Sequence, residues 1–236
     1  RDREVEQLMR ALLLILLLAS TADAMIVCNG DSNTQSNWQG FPNGTAGGWC
    51  EQLGALKSTT TVNRGVGFSG IGDHGTYYGG TLPLWGGFYI DAEAAGADPF
   101  LAFASGTPPT YLGQPTYSPL GVPATFVLAF GTNDLMLYGY TPRQIITYYK
   151  KYRQHAIATG ATVYIATTPP QYDASGNLSA LDAQIQDLNQ RIRGNWPTRY
   201  VEFYNGFTPS DFAPDGVHLN ASGQAKRAAA AAAVIP

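Results

Sequence analysis

From residue 25 onward, short apolar runs alternate with stretches whose apolar residues recur every three or four positions. The short runs predict strands and the periodic stretches predict helices. Met25-Ile-Val-Cys28 reads as a first strand ending at the turn Gly30-Asp31-Ser32, followed by a short helix from Trp49 to Leu56 and a second strand over Thr60 to Asn63. Thr125-Phe-Val-Leu-Ala-Phe130 is the plainest buried strand and runs directly into Gly131-Thr-Asn-Asp134. Thr141 and Pro142 then form a helix start, with the hydroxyl as N-cap and proline in the first helical position. That helix continues to about Thr159 and stops at Gly160. Thr162 to Thr167 is a fourth strand, Leu181, Ile185, Leu188 and Ile192 mark one face of a helix, and Arg199 to Phe203 is a fifth strand. The alanine-rich stretch Ala221 to Ala233 closes the chain as a helix, because alanine is the strongest helix former.

Strands that alternate with helices predict an α/β fold with a parallel sheet covered on both faces. Loops that carry chemistry gather at the carboxyl ends of the strands in such sheets. One region departs from the rhythm. About residues 66–123 are rich in glycine, proline and aromatics, among them Tyr77, Trp85, Phe88 and Tyr111, with a helix expected over Asp91 to Ala104. So long a segment reads as an insertion near the site, with aromatics that pack it onto the sheet or line a sugar or acyl groove.

The amino-terminal segment follows a different pattern. Arg10 precedes the run Ala11 to Ala19, and Ser20-Thr-Ala-Asp-Ala24 supplies an Ala-x-Ala site, which together read as a secretory signal cleaved after Ala24. The apolar run is about half the ~20 residues that a membrane-spanning helix requires. Met9 suits this pattern as a start, and an N-terminal amphipathic or anchor helix is the alternative. The expected division is therefore residues 1–24 as signal and upstream sequence, and 25–236 as one domain carrying the insertion. The expected location is outside the cytoplasm, secreted or periplasmic.

Composition narrows the function. Charged residues make up 13% and the net charge is −3, with no long Lys/Arg run to hold nucleic acid. No Cys/His spacing suggests a metal site, and no cofactor is implied. Cys28 and Cys50 flank the first turn; the sequence leaves open whether they are bridged or are two buried thiols.

Three segments carry the candidate chemistry. Gly30-Asp31-Ser32 supplies a hydroxyl, Gly131-Thr132-Asn133-Asp134 an amide, and Asp215-Gly216-Val217-His218 a base three residues after a carboxylate. A serine hydroxyl needs a base to become nucleophilic, and the Asp-x-x-His spacing lets one carboxylate accept the imidazole Nδ1 proton while Nε2 faces the serine. Of the other histidines, His74 lies in the insertion beside Asp73, and His155 lies mid-helix as a solvated side chain.

Gly30-Asp31-Ser32-Asn33-Thr34, Gly131-Thr132-Asn133-Asp134 and Asp215-Gly216-Val217-His218-Leu219-Asn220 resemble the first, third and fifth blocks of the SGNH/GDSL hydrolase family. Asn63-Arg64-Gly65-Val66 resembles the start of its second block. The resemblance implies a three-layer α/β/α fold with a flavodoxin-like parallel five-stranded sheet. It implies Ser32 as nucleophile, His218 as base, Asp215 as its orienting carboxylate, and the Ser32 amide and Asn133 side chain as oxyanion donors. The second-block donor falls on Phe68 when counted without a gap, with Gly67 before it, or on Gly70 if two residues are inserted. Gly70 restores the family's Ser-Gly pair and is the position carried forward. The implied activity is hydrolysis of acyl or acetyl esters, on small-molecule or polysaccharide substrates. An O-acyltransferase with the same triad and a non-catalytic glycan-binding module are the alternatives. An imidazole base predicts activity that falls as pH drops through about 6–7.

Overall fold

The computed structural model describes residues 25–35, 47–65, 70–71, 125–158 and 161–236. Five parallel strands form one sheet: β1 (Ile26–Gly30), β2 (Thr61–Gly65), β3 (Thr125–Ala129), β4 (Thr162–Ala166) and β5 (Tyr200–Val201). Their order is β2-β1-β3-β4-β5, the flavodoxin-like order that the family resemblance implies. The helices are α1 (Ser32–Gln35), α2 (Trp49–Lys57), α3 (Thr132–Met136), α4 (Pro142–Ala158), α5 (Asp182–Asn195) and α6 (Ala221–Val234). A 3-10 turn covers Pro209–Asp211.

Alternation along each strand divides the core into two layers. Val27, Phe126, Leu128, Val163 and Ile165 face one side, where they meet Ile145 and Tyr149 of α4 and Ile185, Leu188 and Ile192 of α5. Ile26, Cys28, Val127, Ala129, Tyr164 and Val201 face the other side, against Trp49 and Leu53 of α2 and Ala228 and Ala231 of α6. Strands enclosed on both faces need apolar residues at successive positions, which is why they read as continuous runs.

The helix starts follow local chemistry. The Thr141 amide donates to Gln144 Oε1 at 2.9 Å while the Gln144 amide approaches Thr141 Oγ at 3.4 Å, a reciprocal cap ahead of Pro142. Asn220 caps α6, its side chain accepting from the Ser222 and Gly223 amides.

Two of the boundary differences from the sequence reading follow directly from backbone hydrogen bonding. β1 continues to Gly30, because Asn29 and Gly30 pair with Arg64 and Gly65 on one side and with Leu128 and Ala129 on the other. β5 is shorter than Arg199 to Phe203. The Phe203 amide donates to Thr167 Oγ1, and Glu202 Oε1 accepts from the Tyr204 and Asn205 amides, so the backbone turns instead of extending the ladder. The signal segment, the helix expected over Asp91 to Ala104 and nearly all of the insertion lie outside the described residues. Among the described residues, no helix is long and apolar enough to cross a membrane.

Cys28 and Cys50 form a disulfide, which answers the question the sequence left open. It ties β1 to α2, with Cα atoms 6.0 Å apart and a separation of 22 residues along the chain. A cross-link closing a loop of this length restricts the unfolded chain by about 3 kcal/mol. Urea unfolding of the reduced protein should therefore show a loss of about that size against the oxidised form. Coincident unfolding curves would show that the bridge contributes nothing to stability.

Candidate active site

β1 and β3 lie side by side with Gly30 opposite Ala129, so the segments leaving them begin at the same height on the sheet. Ser32 follows β1 by two residues and opens α1; Asn133 lies in the first turn of α3, beyond β3. Both are buried, as are Asp31, Asn33 and Asp134. A glycine is required at position 30, where a Cβ would overlap Thr34 Oγ1 and the Ala129 carbonyl as α1 folds back on the strand.

Residues 212–219 bring the third element. An antiparallel bridge joins Phe212 to Leu219, and the Ala213 amide donates to the His218 carbonyl at 2.7 Å. Gly216 turns this hairpin with φ of 67°, and its carbonyl accepts from the Tyr172 amide, so a side chain there would be strained and would strike Tyr172. The result is a continuous hydrogen-bonded chain. Ser32 Oγ lies 3.0 Å from His218 Nε2, and His218 Nδ1 lies 2.6 Å from Asp215 Oδ2. Asp215 Oδ1 accepts from the Val217 and His218 amides, both at 2.9 Å.

The two carboxylates near His218 differ in charge behaviour. Partial burial pushes Asp215 up, but hydrogen bonds from the His218 amide and ring and the Val217 amide outweigh it and hold it below the ordinary carboxylate range. Asp215 thus stays ionised at neutral pH and can stabilise an imidazolium. Asp31 is pushed up to about 6 by burial; Arg227, the Asn33 amide and His218 oppose this, and Asp134 adds to it. Arg227, itself enclosed, is pulled down to about 10 by burial against the opposing pull of Asp31 and Tyr149. Its guanidinium lies 4.7 Å from the centre of the Phe203 ring.

The arrangement brings Ser32, His218 and Asp215 into one bonded chain and puts Asn133 on the neighbouring strand's loop. Gly70 is buried, and the next residue's amide, from Ile71, donates to Asp134 Oδ2 at 3.0 Å. The same oxygen accepts from the Gly131 amide, so the stretch at Gly70 is tied to the turn that carries Asn133. Gly67, Phe68 and His74 lie outside the described residues. His155 sits near the carboxyl end of α4, a helix that returns from the β3 carboxyl edge toward the start of β4, so it is placed away from Ser32. Among the described residues, no group of three or more His, Cys, Asp or Glu side chains could hold a metal ion. A polar groove of about 610 Å³ runs along α5, lined by Asp182, Gln186, Arg193 and Tyr204 among others. Neither Ser32 nor His218 lines it.

Sequence reasoning missed Asn33, Gln224 and the charge interaction between Asp31 and Arg227. A signal was present, since Gln224 and Arg227 fall at helical spacing with Ala228 and Ala231, on the stripe of α6 that must be buried. What they meet there could not be read from spacing.

A parallel α/β fold with a serine hydroxyl bonded to an imidazole beyond the strand ends is an arrangement that suits hydrolysis. A family model for the GDSL-like lipase/acylhydrolase family matches residues 28–226, and the chain belongs to that family of ester hydrolases. Similar solved structures include Est24, a carbohydrate acetylesterase from Sinorhizobium meliloti, at 15% identity and a TM-score of 0.60, covering 89% of this chain and 97% of that one. A member of the lipolytic protein G-D-S-L family from Veillonella parvula is 20% identical with a TM-score of 0.59, covering 90% and 98%. The aryl esterase of M. smegmatis is 14% identical with a TM-score of 0.59, covering 89% and 97%. No match was found among curated proteins.

The raised Asp31 carboxyl has a defined effect on stability. Between about pH 4 and about pH 6 the folded chain retains a proton there that the unfolded chain has lost, so this group costs stability as pH rises through that window. Asp31→Asn removes the titration. Whatever its difference from the parent at about pH 4, that difference should move in the variant's favour by about pH 7, as read by urea midpoints. A difference that stays constant between the two pH values would show that Asp31 is not perturbed.

Proposed function

We propose that this chain is a secreted serine esterase that hydrolyses acyl or acetyl esters through Ser32, His218 and Asp215. The observation that carries the reading is the unbroken hydrogen-bonded chain from Ser32 through His218 to Asp215, between residues 186 positions apart in sequence at its first link. Ser32 Oγ attacks the ester carbonyl as His218 Nε2 takes its proton, and Asp215 steadies the imidazolium. The oxyanion is held by the Ser32 amide, the Gly70 amide and the Asn133 side chain; losing one such donor typically costs about 10²–10³ in rate. His218 then protonates the leaving alcohol, and water, deprotonated by the same nitrogen, clears the acyl-enzyme.

Export is supported by the Arg10, leucine-run and Ala-x-Ala pattern together with the Cys28–Cys50 bridge, since disulfides persist in oxidising compartments. The domain reading keeps residues 25–236 as one unit with the insertion at about 66–123. The net charge of −3 and the aromatic insertion favour neutral small-molecule or polysaccharide esters as substrates. The likeness to a carbohydrate acetylesterase fold agrees with that choice.

The test is hydrolysis of p-nitrophenyl acetate, butyrate and octanoate by the chain from Met25. Ser32→Ala should lose at least about 10³-fold in kcat, and Asp215→Asn up to about 10⁴-fold, with the fold preserved by circular dichroism. Full turnover by a folded Ser32→Ala variant would sink the proposal. On the acid side, kcat/KM should fall as pH drops, because a protonated His218 cannot take the Ser32 proton. A rate that does not change with acidification of the folded enzyme would remove His218 as the base.

A further inference from the structure

Asn33 belongs to none of the roles assigned above, yet its polar groups are bonded in every direction. Its residue is 1% exposed. The side-chain oxygen accepts from the Leu219 amide at 2.9 Å, and the side-chain nitrogen donates to the Val217 carbonyl at 3.2 Å. One carboxamide therefore grips the backbone on both sides of His218. Its own amide donates to Asp31 Oδ1 at 3.0 Å, and its carbonyl accepts from Gln224 Nε2 at 3.1 Å. Gln224 in turn accepts the Trp49 amide at 3.1 Å, next to the disulfide at Cys50.

We infer that Asn33 is a positioning residue for ester hydrolysis, setting the distance between the Ser32 hydroxyl and His218 Nε2. The inference rests on the reading of those two residues as nucleophile and base. The bond from Ala213 to His218 and the bridge from Phe212 to Leu219 tie the hairpin to itself and do not fix it against β1. Asn33 does, because it is covalently the next residue after Ser32. The His218 backbone cannot slide relative to the nucleophile without breaking both carboxamide bonds and leaving buried groups unpaired. The position also sets this chain apart from the letters G-D-S-L, whose fourth residue is a leucine with no donor or acceptor to offer.

Two variants and one measurement on the unaltered protein test this. Asn33→Ala removes both bonds. Asn33→Asp keeps an acceptor for Leu219 but sets a carboxylate oxygen against the Val217 carbonyl. Both should lower kcat on p-nitrophenyl acetate by about 10²-fold, the size of a misplaced catalytic group, with KM changed by less than about twofold. The downfield resonance of the His218 ring proton shared with Asp215 should shift or broaden in both. In the unaltered protein, the Leu219 amide should be protected from hydrogen exchange, and the protection should vanish in Asn33→Ala. Folded variants with unchanged kcat, beside an inactive Ser32→Ala, would overturn the positioning role while leaving the esterase reading intact. Activity surviving in Ser32→Ala would overturn the esterase reading itself. Failure of both Asn33 variants to fold, a rise in KM matching the fall in kcat, or an unprotected Leu219 amide in the unaltered protein would each reduce Asn33 to a structural or incidental part.

Discussion

Five strands running in one direction impose the arrangement on which everything else depends. Each strand must be followed by a return path across a face of the sheet, so every strand ends at the same edge. The order β2-β1-β3-β4-β5 adds a second condition. From β1 the chain moves outward to β2, and from β3 it moves the other way to β4 and β5. The loops after β1 and β3 therefore diverge to opposite faces and leave a crevice between them. Ser32 leaves one side of that crevice and Asn133 the other. A hydroxyl and an amide 101 positions apart thus border one opening without either segment being long or strained.

His218 enters from a hairpin just before α6, and its environment is divided between two carboxylates. Asp215 keeps its charge because it is half-exposed and receives three hydrogen bonds from its own turn. Asp31 is enclosed next to Ser32, with one amide bonded to it and a buried arginine in its field. Burial disfavours the charged form, while hydrogen bonding to the charged form favours it. Two aspartates that both interact with His218 are therefore held low in one place and raised in the other. Asp215 is the carboxylate whose oxygen lies against the imidazole Nδ1, at 2.6 Å.

The buried face of α6 connects these parts. Ala228 and Ala231 let the helix approach the sheet, while on the same stripe Gln224 bonds the Asn33 carbonyl and Arg227 interacts with Asp31. On the hairpin side, Asp211 is held down to about 2: burial raises it, and Lys226, the Thr208 amide and hydroxyl, and Ser222 more than offset that. One helix thus anchors both the serine turn and the histidine hairpin. The disulfide fixes the neighbouring helix α2 to β1 on the same face.

Alternating apolar runs, the Thr141-Pro142 start and the Asp-x-x-His spacing are local properties, set by side-chain periodicity and by what a few adjacent residues can bond. They were legible in the sequence alone: five strands, the main helices, and Ser32, Asn133, Asp215 and His218 as candidates. Bonds between residues far apart in the chain were not, because spacing carries no distance between segments that meet only after folding. Whether Cys28 would reach Cys50 depended on how α2 packs against β1. That Asn33 would close on Val217 and Leu219 depended on where a hairpin more than 180 positions away comes to rest. The raised carboxyl of Asp31 required burial, and β5 ended early because a threonine and a glutamate took over its backbone amides. In each case the same side chain in water would do nothing unusual, and its partner exists only once the sheet has formed.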